Sequence, residues 1–129
     1  MNMTKVVQTI KEKFDAAHNI PGHPKCGRKH GHTYHVEVDF EAKHDDKTGM
    51  GADFHILKEI VRKEIVEPCD HNDLNNIWEK PTAENMAKTF FEDIADEINA
   101  RDMTYCAVLA VTVWETESCG VMWSLDSYE

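Results

Sequence analysis

Four of the eight histidines in this chain, His18, His23, His30 and His32, fall within fifteen residues, and Cys26 lies among them. His30 and His32 are two apart, so on an extended strand both imidazoles project from one face and can chelate one ion. His18 ends a preceding alternation on the parity of its apolar row, which offers a third nitrogen across a strand pair. Three neutral imidazoles around an open fourth position form the donor set of a catalytic zinc, which polarises a bound oxygen. The alternative is a group of polar histidines at the mouth of a sheet, because an H-G-H also occurs in ordinary turns.

Three residues separate Cys26 from His30 in C-G-R-K-H-G-H. Cys26 is either a fourth ligand that makes the zinc structural, or a thiolate base made more acidic by the metal and by Lys25, Arg28 and Lys29. An unreactive surface thiol is the third reading. Asp70 and His71 in C-D-H-N-D can line one pocket as an orienting carboxylate and a proton carrier, or stand as a turn residue and a solvated imidazole. Glu115, in V-W-E-T-E-S, either caps a turn or receives a guanidine-like ligand edge through paired charge-assisted hydrogen bonds. Thr82 and Glu84 read as helix-start residues that can also face a ligand. His23 reads as surface-exposed and Cys69 as a small buried apolar side chain.

Strands are needed to position these groups. From Lys5 to His18, the residues Ile10, Phe14, Ala16 and His18 share one parity, which predicts a half-buried strand. From His32 to Phe40, the residues His32, Tyr34, Val36, Val38 and Phe40 alternate with Thr33, His35, Glu37 and Asp39. Between them, Asn19 to Lys29 is a loop with two prolines, two glycines and the densest basic patch of the chain. Asp53 offers an N-cap to a helix with Phe54, Leu57, Val61 and Ile65 as its apolar stripe, and Pro68 is expected to stop it. A second helix runs from Thr82 to about Arg101, with Met86, Ala87, Phe90, Phe91, Ile94 and Ile98 at helical spacing. The β-branched run Tyr105 to Glu115, the turn T-E-S-C-G and a short strand V-M-W-S-L complete the order ββααββ.

That order, with first and last connections too short for a helical crossover, predicts an α+β class: a four-stranded antiparallel sheet with two helices packed on one face. A length of 129 residues fits a single domain, 1–129, and its uncovered sheet face and edges predict association with copies of itself. With 41% hydrophobic and 29% charged residues the chain is globular. A formal charge of −10 argues against nucleic-acid or anionic-lipid partners, so an anionic substrate needs a local basic cluster. No apolar run is long enough to span a membrane, the N-terminus does not read as an export signal, and four scattered cysteines read as reduced thiols; a cytoplasmic protein is expected.

Six segments in collinear order extend this reading over nearly the whole chain: F-D-A-A-H (Phe14 to His18), C-G-R-K-H-G-H (Cys26 to His32), G-M-G-A-D-F (Gly49 to Phe54), D-H-N-D-L-N (Asp70 to Asn75), K-P-T-A-E-N (Lys80 to Asn85) and W-E-T (Trp114 to Thr116). Together they resemble the 6-pyruvoyltetrahydropterin synthase superfamily. Within it, the three-residue gap after the cysteine is similar to the 6-carboxytetrahydropterin synthases of queuosine and related deazapurine pathways, whereas the pyruvoyl-forming enzymes typically have a longer gap. Cys69 departs from the family, which usually has an aliphatic residue there. The resemblance implies a tunnelling fold (T-fold), trimers that close a barrel and stack in pairs as a homohexamer, and sites between subunits. It implies that His18, His30 and His32 bind zinc, that Cys26 is the proton-abstracting thiolate, and that Asp70 and His71 complete a proton relay. Glu115 would anchor a pterin, with Thr82 and Glu84 near its ring. The implied reaction converts 7,8-dihydroneopterin triphosphate to 6-carboxy-5,6,7,8-tetrahydropterin, acetaldehyde and triphosphate. Because the triphosphate conflicts with a charge of −10, Lys25, Arg28 and Lys29 are expected to offset the repulsion locally, the alternative being a solvated basic loop. Formation of 6-pyruvoyltetrahydropterin, and a non-catalytic zinc-containing pterin-binding protein, are the alternatives.

Overall fold

The computed structural model describes residues 4–125. Strands β1 (Lys5–His18) and β2 (His30–Lys43) pair antiparallel along their whole length, from Lys5 opposite Lys43 to His18 opposite His30. β2 thus runs beyond the predicted His32-to-Phe40 alternation at both ends, because main-chain pairing with β1 continues where side-chain alternation no longer signals it. One parity of the pair, Ile10, Phe14, Ala16 and His18 with Tyr34, Val36, Val38 and Phe40, is buried. The other parity is polar and carries the Thr9–Asp39 hydrogen bond and the Lys5–Glu41 ion pair. Exposed pairs of this kind contribute about 0–1 kcal/mol each, so burial of the first face holds the sheet to its helices.

Helix α1 (Phe54–Val61) begins at Asp53, whose side chain accepts from the His55 N–H at 2.8 Å. Leu57, Val61 and Ile65 are buried as the stripe predicts, together with Ile60 and Val66, whereas Phe54 in the first turn is exposed. Pro68 does not stop this helix. The chain widens into a π-helical segment (Arg62–Val66) and continues as the short α2 (Glu67–Cys69). The Glu67 N–H reaches back to the Arg62 carbonyl, and Pro68 then falls in the first turn of a new helical register, where a missing N–H costs little.

Beyond α2, β3 (Asn72–Asp73) pairs parallel with Ala16 and Ala17 of β1, an element too short to leave a periodic signal. A 3₁₀ turn (Leu74–Asn76) follows, with Leu74 buried. Helix α3 (Ala83–Ala100) is capped by Thr82, which accepts from the Asn85 N–H, and it buries all six predicted apolar residues. β4 (Cys106–Trp114) pairs with β2, and β5 (Gly120–Ser124) pairs with β4. The sheet therefore has five strands in the order β3-β1-β2-β4-β5 rather than four, antiparallel except at β3. A bulge at Asp39/Phe40 leaves Leu109 as the extra residue of β4, so Val108, Val111 and Val113 all enter the core. There α1 and α3 cover one sheet face, with Phe90 edge-on to Phe14 at 6.3 Å between ring centroids.

Candidate metal centre

The hairpin register sets the site. Because His18 pairs with His30 across β1 and β2, and His32 stands two residues on, all three imidazoles meet on the buried side of the sheet end. His18 is fully buried; His30 and His32 are half-buried. Their ring centroids are 4.6 Å (His18–His30), 5.1 Å (His18–His32) and 4.8 Å (His30–His32) apart, each pair close to perpendicular. Glu115, one residue past the end of β4, joins them. One donor atom from each of the four residues lies within 4.8 Å of the others, and Glu115 Oε1 is 3.2 Å from His32 Nε2.

The hydrogen bonds around the rings test whether this group fits a cation. His18 Nδ1 is 2.8 Å from the Pro81 carbonyl oxygen, and His30 Nδ1 is 2.7 Å from the Arg28 carbonyl oxygen. A carbonyl only accepts, so both Nδ1 atoms carry the proton and both Nε2 atoms present lone pairs. Those two Nε2 atoms are 3.1 Å apart. Two lone pairs at that distance repel unless a cation lies between them, and tetrahedral ligation with metal–nitrogen bonds of about 2.0–2.1 Å would itself place them about 3.3 Å apart. Among the described residues His32 Nε2 is buried without a hydrogen bond, since Glu115 is near it but not aligned. Burial lowers the pKa of His32, and His18 and His30 act in the same direction against Glu115, so the neutral, ligating form is favoured. The residues fit a divalent metal with nitrogen preference, such as zinc.

Cys26 does not join this donor set among the described residues. It sits half-buried in the loop between β1 and β2, whose path is held by main-chain and side-chain bonds. The Ile20 N–H donates to the Cys26 carbonyl at 2.6 Å, and His23 Nδ1 accepts from the Cys26 and Lys25 N–H groups at 2.9 and 3.2 Å. His23 is exposed, as expected, yet it shapes the turn that carries the thiol. Gly27 permits the same turn, because a Cβ there would lie 2.7 Å from the His23 carbonyl oxygen.

Arg28 and Lys29 are both exposed, but they differ. Lys29 Nζ donates to Asp73 at 2.8 Å and to Asn75 at 3.1 Å, which draws the Asp73 carboxyl below its ordinary pKa. Arg28 has no ion-pair partner among the described residues. Asn75 also accepts from the Asn19 N–H at 2.9 Å and donates to the Asn19 carbonyl at 3.0 Å. Asp73 and Asn75 thus tether the Cys26 loop to the sheet. Their place inside D-H-N-D-L-N was the only signal for them, and it did not reveal the tether.

Asp70 and His71 form a second cluster, on the sheet edge. Asp70 Oδ2 is 2.8 Å from His71 Nδ1, and Asp70 Oδ1 accepts from the Asp15 N–H at 3.0 Å. The His71 N–H in turn donates to the Asp15 carbonyl at 2.7 Å, with His71 in the left-handed region at φ 57°. Two successive residues therefore clamp both main-chain polar groups of Asp15. Asp70 is held below the ordinary carboxyl range by the Asp15 N–H first and His71 second, and its hydrogen bond and charge raise the pKa of His71. An open groove beside this dyad is lined by His71 and by Asp15, Gly31 and Thr33 on the exposed parity of the hairpin, and His32 is the one member of the histidine trio that borders it. Thr82 is spent on the cap of α3 and Glu84 is exposed in its first turn; neither belongs to the donor group. Cys69 is buried, which pushes its thiol up to about 12, so it remains protonated and inert.

Comparison with known proteins gives this arrangement a context. A family model described as 6-pyruvoyl tetrahydropterin synthase matches residues 8–124. A protein of Archaeoglobus fulgidus, provisionally designated a 6-carboxy-5,6,7,8-tetrahydropterin synthase, is 45% identical over 93 residues, 71% of this chain and 79% of that protein. The 6-carboxy-5,6,7,8-tetrahydropterin synthase of Haemophilus influenzae is 34% identical over 123 residues, covering 80% and 87% of the two chains. A dihydroneopterin monophosphate aldolase of Pyrococcus furiosus is 32% identical over 111 residues, covering 86% and 90%. In fold, the chain superposes on the 6-pyruvoyl tetrahydropterin synthase of Caenorhabditis elegans with a TM-score of 0.83 at 22% identity, over 96% of this chain and 98% of that one.

Proposed function

The chain belongs to the 6-pyruvoyl tetrahydropterin synthase family, and on that premise we propose that it is a zinc-dependent 6-carboxy-5,6,7,8-tetrahydropterin synthase. The reaction converts 7,8-dihydroneopterin triphosphate and one water to 6-carboxy-5,6,7,8-tetrahydropterin, acetaldehyde and triphosphate, as a step of queuosine or related deazapurine synthesis. The observation that carries this reading is the trio of imidazoles whose Nε2 lone pairs converge, two of them held so by carbonyls at Nδ1 and the third with its Nε2 unbonded among the described residues. The names of the A. fulgidus and H. influenzae relatives and the short gap between Cys26 and His30 favour the carboxy product.

In this proposal His18, His30 and His32 hold the zinc, which supplies Lewis acidity to the oxygens of the substrate side chain. Cys26 moves a proton at the carbon next to the ring. His71 exchanges protons with the side-chain hydroxyls, and Asp70 orients it and favours its charged form. Glu115 receives the amino and ring N–H edge of the pterin, Thr82 and Glu84 lie near the ring, and Arg28 with Lys29 meets the triphosphate. Residues 1–129 act as one domain. The same reading extends to a cytoplasmic homohexamer, a dimer of trimers with sites shared between subunits. It is supported by the edge of β5 that is unpaired among the described residues, with Met122 61% and Leu125, just past the strand, 75% exposed, and by the exposed position of His71. Among the described residues no helix is long and apolar enough to cross a membrane.

A second reading, aldol cleavage of the side chain, is favoured by the similarity to the P. furiosus aldolase. Anaerobic incubation of zinc-loaded protein with dihydroneopterin triphosphate or monophosphate, beside Cys26→Ala with its zinc assayed, separates the readings by product mass. Carboxytetrahydropterin with acetaldehyde from wild type, and a zinc-retaining mutant slowed roughly a hundredfold or more, is the expected outcome. A pyruvoyl product, or a hydroxymethyl pterin released with a two-carbon aldehyde, refutes the assigned chemistry within the family. Loss of zinc from Cys26→Ala with no turnover by wild type makes the site structural.

A further inference from the structure

We propose that Tyr34 is a positioning residue for the metal centre, its buried phenol oxygen helping to hold His18 in the tautomer that presents Nε2 to the ion. The inference rests on the reading of His18 as a metal ligand. His30, His32 and Tyr34 alternate along β2, so all three side chains leave the same face, and the tyrosine comes to lie beneath the imidazoles. Tyr34 is fully buried, and its hydroxyl oxygen is 3.2 Å from His18 Nδ1. The same nitrogen is 2.8 Å from the Pro81 carbonyl oxygen. Two oxygens therefore converge on one ring nitrogen.

The 2.8 Å approach of the Pro81 carbonyl, which can only accept, selects between two distributions of protons. If Tyr34 donated to an unprotonated Nδ1, the Pro81 carbonyl would face a second lone pair at hydrogen-bond distance, and Nε2 would carry the proton. With the proton on Nδ1, the carbonyl and the phenol oxygen both accept from it, and Nε2 is left free to ligate. Tyr34 serves as a neutral acceptor, since a phenol keeps its proton near neutral pH. The ring is placed with little freedom. It stacks on Phe14, its cross-strand partner, at 5.1 Å and 19°, and lies edge-on to His18 at 5.9 Å and to His32 at 5.4 Å. A phenylalanine would keep this packing and lose only the oxygen.

The test is zinc affinity, measured by competition with a chromophoric chelator, for wild type, Tyr34→Phe and Phe14→Leu, together with the imidazole nitrogen spectrum of each metal-free protein. Tyr34→Phe should bind zinc roughly 10- to 100-fold more weakly, the range seen when a ligand loses an outer hydrogen bond. Its His18 resonances should gain a population protonated at Nε2. Phe14→Leu, which loosens the stack but keeps the hydroxyl, should stay within about threefold of wild type per folded molecule, so a general packing defect is told apart from loss of the bond. Affinity of Tyr34→Phe within about twofold of wild type, or an equal loss in Phe14→Leu, overturns the inference. Should Tyr34→Phe not fold, replacement of tyrosine by 3-fluorotyrosine keeps ring and hydroxyl while weakening the acceptor; an unmoved His18 Nδ1–H resonance then overturns it. Wild-type protein that takes up no zinc overturns the metal reading itself, a result distinct from an unchanged Tyr34→Phe.

Discussion

Replacing His32 by leucine should abolish zinc uptake and yet leave the metal-free protein at least as stable as metal-free wild type. Among the described residues His32 Nε2 is buried with no hydrogen bond, and Glu115 at 3.2 Å is not aligned to make one. Leaving such a polar atom unsatisfied costs about 1–3 kcal/mol, which a leucine of similar size avoids. Glu115 loses little, because its side chain is 24% exposed and keeps access to water. Metal-free His32→Leu should therefore gain up to about 1–3 kcal/mol over metal-free wild type. Zinc reverses the order: at a thousand times its dissociation constant it stabilises wild type by about 4.1 kcal/mol and the mutant not at all. Urea unfolding at one fixed protomer concentration, with and without zinc after chelator treatment, gives both differences. A metal-free mutant less stable than metal-free wild type by more than about 1 kcal/mol would show that His32 makes a stabilising contact of its own, and the metal argument would lose its best support.

Three further outcomes are expected. His71 titrates above its ordinary value and Asp70 below its own, so their pair is intact between those two limits. It is lost as pH rises through the raised pKa of His71 and as pH falls through the depressed pKa of Asp70. In Asp70→Asn the His71 midpoint, followed by proton NMR, should fall back toward about 6.5, and an unmoved midpoint would contradict the dyad. Arg28→Gln should raise the KM for the triphosphate substrate roughly three- to tenfold at low salt and less at high salt, a screening signature that an uncharged contact would not show. Lys29→Gln should raise KM as Arg28→Gln does and, because Lys29 is also engaged by Asp73 and Asn75, should lower kcat through the Cys26 loop; an unchanged kcat would argue against the tether. Asn75→Ala, which frees both main-chain groups of Asn19, should cost about 1–3 kcal/mol in urea unfolding while zinc is retained; loss of zinc would tie that contact to the metal instead.

Much of the site was legible because its spacing coincides with a strand period. H-x-H on an extended segment must place two imidazoles on one face, and the parity of Ile10, Phe14 and Ala16 carried His18 to the same side. Asp53 and Thr82 announced their helices through capping chemistry that involves only a few neighbouring residues. Glu115 was visible as an acid at a strand end, but its approach to His32 depends on β4 pairing with β2 in one register, and sequence spacing of more than eighty residues says nothing about that. The passage of a helix through Pro68 misled for a related reason. Proline chemistry forbids an ordinary interior position, and only the buried side chains of Ile65, Val66 and Cys69 make a widened turn the better solution.

Local covalent and periodic rules thus determined which residues could serve: the strand faces, the capped helices, the basic loop and the three histidines. Tertiary structure decided how they are used. The hairpin register sets His18 against His30, and the Pro81 and Arg28 carbonyls choose their tautomers. The turn after α2 forces His71 into a left-handed conformation so that it and Asp70 grip Asp15, while Lys29 is drawn away from its neighbour Arg28 toward Asp73. Apart from the Arg28–His30 bond, whose partners are two residues apart, these contacts join residues distant in the chain. They are set by packing free energy summed over the whole core, and no local pattern encodes such a sum.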